Sequence, residues 1–203
     1  MLFPFFLPVL LSTVAVSLSR LIAIDLLNEQ LLGTYYFMFL LVSCGVMFQY
    51  GLSVFLGPII TSKLATMPAG DLNSFAVRCW LVVVCLAVLC TGLATFIFPI
   101  LVDAFYKDYS QGLVLMVPML LLAAAKMCDI WSVFFLLAGF EKYLFAPHLV
   151  SIVLAIIWYF LVVDTNNMQL ADMQVFIFSE AAAIFFVPLV FFFLIRKDNL
   201  SVK

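Results

Sequence analysis

Residues 113–137 read LVLMVPMLLLAAAKMCDIWSVFFLL, an apolar run with a lysine, Lys126, and an aspartate, Asp129, written into its second half. A helix that crosses a bilayer needs about 20 mostly apolar residues, and this run satisfies that requirement. Charge at such depth is costly in hydrocarbon, so Lys126 and Asp129 must be paired, turned toward water, or used. On a continuous helix residues three apart share a face, so the two can neutralise each other locally. The alternative is that they line a hydrated cavity that meets a charged substrate.

The rest of the chain repeats the pattern. It is 67% hydrophobic and only 10% charged over 203 residues, a composition that a soluble domain of this length cannot keep in solution. Charged or turn-forming interruptions mark off six segments, at residues 2–24, 32–55, 75–101, 113–137, 144–163 and 175–195. They are too long for barrel strands and show no sustained alternation of apolar and polar residues. The expected fold class is all-α: a polytopic membrane helical bundle of about six transmembrane helices, forming a single transmembrane domain over residues 1–203. The first segment lacks the basic start of a secretory signal and is expected to remain in the membrane.

Cations set the expected orientation, because short loops rich in Lys and Arg stay cytoplasmic. Lys63, Arg78, Lys142, Arg196, Lys197 and Lys203 fall on one side; Lys107 falls on the other, with Arg20 near a helix end. Both termini are therefore expected in the cytoplasm. The longest loop is expected at residues 61–74, around the turn-like string Pro68, Ala69, Gly70 and Asp71. The opposite loops carry Asp25 and Glu29, then Asp103, Lys107 and Asp108, then Asp164 and Asp172, and read as solvated acidic caps.

Prolines at 8, 58, 99, 118, 147 and 188 fall in or at the edge of spans, where each frees a carbonyl and favours a bend. Bends of this kind point toward a moving bundle. Gly45, Gly51 and Gly57 are spaced too widely for a GxxxG face.

A few polar residues remain inside the spans. Arg20 sits toward the end of the first helix and can snorkel to the interface; Glu180 in the last helix lies near the same side, where Arg20 is its obvious cationic partner. Gln49 and Tyr50, with Ser43 and Ser53, add polar atoms to the second helix and can serve helix packing. His148, just after Pro147, reads as an interfacial residue.

Several classes of function find no signal. The five cysteines all lie within predicted spans, with no CxxC and a single histidine in the chain, so neither a disulfide framework nor a metal site is expected. There is no HExxH, no GxSxG and no nucleotide-binding glycine loop, so no enzyme and no cofactor is expected. A net charge of -2 without a basic stripe gives no reason to expect nucleic acid.

The stretch from Asp25 to Leu64, with Leu32-Gly33-Thr34-Tyr35-Tyr36 and Gly57-Pro58-Ile59-Ile60-Thr61, resembles the seventh and eighth helices of bacterial polysaccharide flippases. These are the O-antigen and capsule exporters of the multidrug/oligosaccharidyl-lipid/polysaccharide superfamily. Phe105-Tyr106-Lys107-Asp108-Tyr109 is similar to that family's short segment before its tenth helix, and Gly139-Phe140-Glu141-Lys142 to the turn before its eleventh. The family has about twelve helices in two lobes, and this chain supplies six, so the resemblance implies the C-terminal half, one lobe of a two-lobed transporter. It further implies a place in the bacterial inner membrane, where an undecaprenyl-pyrophosphate-linked oligosaccharide is flipped for lipopolysaccharide or other polysaccharide biosynthesis. A second lobe or a homodimer would complete the cavity. Carried over residue by residue, the anionic headgroup falls to Lys126 and Arg20, with Asp129 and Glu180 balancing them or coupling to ions. The competing expectation is a small non-transporting membrane subunit or assembly partner, whose intramembrane polar residues serve helix packing.

Overall fold

The computed structural model describes residues 3–137, 143–163 and 169–201, and all of its regular structure is helical. Helix α1 covers Phe3–Leu26, α2 Glu29–Thr66 and α3 Ala69–Phe105. A 3-10 stretch, Lys107–Leu115, leads into α4 (Met116–Met127) and α5 (Ile130–Leu137), followed by α6 (Phe145–Val162) and α7 (Met173–Ser201). Among the described residues, Glu29–Thr66, Asp71–Phe105, Lys107–Leu137, Phe145–Val162 and Met173–Leu194 are long and apolar enough to cross a membrane. Helix α1, at 24 residues, reaches about 36 Å and is long enough to be a sixth. The chain is a membrane-embedded helical bundle. Leu2, the 139–142 turn, Asp164, Lys203 and the side chains of Arg196 and Lys197 lie outside the described residues.

The expected loop at 61–74 is helix on both sides. Helix α2 runs to Thr66 and α3 starts at Ala69, leaving Met67 and Pro68 to make the reversal. The reason is local: a residue before proline is pushed out of the helical region, and Met67 is extended at φ -101, ψ 144. Pro68, extended at φ -66, ψ 153, then caps the next helix, its carbonyl accepting from the amides of Asp71 and Leu72. Hydropathy marks where a helix leaves hydrocarbon, but helical hydrogen bonding continues into water until something breaks it. At 38 residues α2 is about 57 Å long, nearly twice a hydrocarbon core of about 30 Å. Its start is fixed by Asn28, whose side chain accepts the Leu31 amide at 2.9 Å.

Helix α4 is the centre of the bundle, with α2, α3 and α7 packed around it, while α6 joins α7 to α1. Gly112 meets Thr34 and Met38, Gly45 meets the Ala123 backbone, and Gln49 reaches Asp129. Both members of these pairs rise in number together, so α2 and the fourth span run in the same direction. Met119, Leu122 and Ala125 of α4 pack with Tyr35, Met38 and Val42 of α2 and with Phe176, Ile177 and Ala181 of α7. A second cluster gathers Trp131, Phe134 and Phe135 of α5 with Ile60, Ala76 and Phe192, the Trp131 and Phe192 rings lying 4.1 Å apart. Lys126 and Asp129 fall between these two apolar clusters along the chain.

The fourth span is not one helix. Cys128 and Asp129 form a turn in which the Asp129 amide donates to the Lys126 carbonyl at 3.2 Å and the Ile130 amide to that of Cys128 at 2.8 Å. Asp129 then caps α5, accepting the Ser132 amide at 3.3 Å and the Ser132 hydroxyl at 2.7 Å. Lys126 and Asp129 therefore flank a break and do not share a continuous helical face.

Candidate functional site

The break sends the two charges to different places. Asp129, 9% exposed, turns to α2, where the Gln49 amide donates to its Oδ2 at 3.0 Å. With Ser53 and the apolar side chains of Leu52 and Val133, these two line a void of about 10 Å³, about the room of one water. The Asp129 carboxylate is held by Ser132 and Gln49, so its hydrogen bonds are made without Lys126.

Lys126, 7% exposed, lines a separate cavity of about 270 Å³. Its other walls are Val16 and Arg20 of α1, a stripe of α2 from Phe39 to Met47 that includes Ser43, and Glu180 of α7. Two cations and one carboxylate, from three helices, thus surround one space. The cavity exists because α1 packs on α6 and touches α2 only sparsely, so the ring of α2, α4, α7, α6 and α1 stays parted between its first two helices.

Each charge has a local support. The Arg20 guanidinium carbon sits 5.2 Å from the centroid of the Phe39 ring, within cation–π reach. Glu180, 6% exposed, accepts at Oε2 from the Ser19 hydroxyl at 3.4 Å, and that hydroxyl also bonds the Ala15 carbonyl. The expected cationic partner, Arg20, shares the cavity with Glu180, but the hydrogen bond comes from its neighbour Ser19. His148 is half-buried in the first turn of α6.

Of the residues singled out in the sequence, Arg20, Lys126 and Glu180 meet at the cavity, and Asp129 and Gln49 meet behind it. Ser19, Ser132 and Phe39 were missed. The cap that engages Ser132 had a partial signal, since an Asp before an apolar run can start a helix; Ser19 and Phe39 had none, because their roles depend on how α1 is rotated against its neighbours. Among the described residues no group of three or more His, Cys, Asp or Glu comes together to hold a metal ion.

No protein-family model, curated protein or solved structure matches the chain.

Chemically, the cavity offers two hydrogen-bonding cations to an anion, and a carboxylate that balances them when the anion is absent. Phosphate-type oxygens suit such a site, because guanidinium and ammonium groups make short charge-assisted bonds to them.

Proposed function

We propose that the chain is one lobe of a membrane transporter that moves an anionic-headed lipid, of the undecaprenyl-pyrophosphate-linked oligosaccharide class, across a bacterial inner membrane. The observation that carries this reading is the Arg20–Lys126–Glu180 cavity, which is apolar on its α2 side apart from Ser43, charged on its α1, α4 and α7 sides and unclosed between α1 and α2. Lys126, Glu180 and Asp129 are all buried. Arg20 instead remains exposed within a spanning helix, a costly position unless water or another polypeptide covers it. A second lobe or a second copy facing α1 and α2 meets that need and closes the cavity around the headgroup. The loose motif resemblance to polysaccharide flippases supports the same reading.

Reconstitution tests it. The full chain, in vesicles with its completing lobe or as a dimer, should translocate a fluorescent lipid-linked oligosaccharide pyrophosphate, and Arg20→Ala should slow this by roughly tenfold, the effect of one charge-assisted contact. Transport unaffected by Arg20→Ala would remove the headgroup role from α1. The cation asymmetry adds a topological expectation, both termini cytoplasmic. Reporter fusions after Lys203 and near Asp164 should report opposite compartments, and an external C-terminus would overturn the orientation.

A second reading, a non-transporting subunit or assembly partner, is favoured by the Asp129, Gln49 and Ser132 network, whose members are consumed in holding α2 to the break. It accounts for that network and not for the cavity.

A further inference from the structure

A second, larger groove lies on the outside of the bundle, between α1 and α6. It measures about 470 Å³ and is lined by Leu18, Leu21, Ile22 and Asp25 on α1 and by Ile156, Tyr159 and Phe160 on α6. The α1 residues sit at i, i+3, i+4 and i+7, one stripe of a helix, so the groove follows the helix axis. Apolar side chains fill it except at one end, where the Tyr159 hydroxyl donates to Asp25 Oδ2 at 2.8 Å. Asp25 is in the last turn of α1 and Tyr159 in the last turn of α6, so this polar end stands where both helices leave hydrocarbon. Leu18 to Asp25 spans about 10 Å, less than half of a hydrocarbon core of about 30 Å. The groove therefore fits within one leaflet.

We propose that this groove binds a phospholipid with an ammonium headgroup, its acyl chain lying along Leu18, Ile22 and Ile156 and its ammonium on Asp25. Charge complementarity selects the occupant. Tyr159 fixes Oδ2 of Asp25 and orients the carboxylate, leaving Oδ1 for a donor from the lipid. Glu29, exposed in the first turn of α2, adds a second negative charge at the same end of the bundle. Arg20, the nearest cation along α1, belongs to the cavity wall. An anionic headgroup in the groove would thus meet the Asp25 carboxylate, with no cation among the residues that line it. The Tyr159 ring beside the site adds a face that attracts ammonium. The assignment stands apart from whatever the charged cavity carries.

Lipid binding to the purified full chain in detergent tests this, using phosphatidylethanolamine and phosphatidylglycerol with identical acyl chains and counting retained lipid by native mass spectrometry. The ethanolamine lipid should bind about tenfold more tightly, the effect of one charge-assisted contact. Asp25→Asn should abolish that preference, while Tyr159→Phe should keep most of it because the carboxylate remains. Ile156→Trp, which fills the groove and leaves Asp25 in place, should displace the lipid and provides a variant independent of the carboxylate. Equal binding of the two lipids to the unaltered chain, or an undiminished preference in Asp25→Asn, would overturn the proposal. So would efficient cross-linking between copies through cysteines at positions 21 and 160 without retained lipid, which would give the groove to a partner helix.

Discussion

Gly45→Ala should destabilise the protein by about 2 kcal/mol or more, the range for forcing atoms into a filled core, whereas Gly51→Ala should leave stability equal or raise it by up to about 1 kcal/mol. The two residues sit on the same helix and differ in what a methyl group would meet. A Cβ at Gly45 would fall 2.6 Å from the Ala123 carbonyl oxygen and 2.8 Å from the Ala123 Cα, while one at Gly51 has open space. The obstacle at Gly45 is backbone, so no rotamer change relieves it and α2 must move off α4. That displacement also separates Phe39 and Ser43 from Lys126 across the cavity, so transport should fall together with stability. Thermal unfolding of the two variants in the same detergent decides the matter. Equal melting temperatures would mean that the close approach of α2 and α4 contributes nothing to the fold.

The second large effect concerns Lys126 and Asp129, which the structure separates into different roles. Lys126→Ala should reach the membrane at near-normal abundance and fail to transport, because it removes a cavity charge on which no hydrogen bond among the described residues depends. Asp129→Ala should lose abundance and stability. It removes the cap of α5, about 1–2 kcal/mol, and leaves the Gln49 amide without its acceptor, a further cost of about 1–3 kcal/mol. Asp129→Asn should recover the cap, since an amide oxygen can still accept from the Ser132 backbone. A directly paired Lys and Asp would behave otherwise: removing both would restore what removing either had cost. With Ser132 and Gln49 holding the carboxylate, Lys126→Ala/Asp129→Ala should be no more stable than Asp129→Ala alone, to within about 1 kcal/mol. A double variant with full abundance and full transport would establish the pair as packing and leave the cavity reading without its central residue.

These expectations differ from those that spacing alone suggests, and the difference locates what sequence can carry. The apolar runs, their lengths and the depth of Lys126 and Asp129 are properties summed along the chain, so the all-helical membrane bundle was legible at once. The reversal at Met67 and Pro68 was legible only in part. Proline marks the position, but hydropathy widened it into a loop because polar residues at 61–66 and 71–74 leave hydrocarbon without leaving the helix.

What the sequence by itself determined is the solvent: too many apolar residues, in runs of bilayer length, for any environment but lipid. It also determined which few charges stand at depth. Only the tertiary structure decided what those charges do, because a side chain's neighbours depend on how each helix is rotated and where it breaks. The turn at Cys128 and Asp129 gives Asp129 to Gln49 and Ser132, and it leaves Lys126 to a cavity whose other charges arrive from the two ends of the chain. Arg20 and Glu180 are brought together by the packing of α1 on α6 and of α6 on α7, contacts between segments that share no local signal.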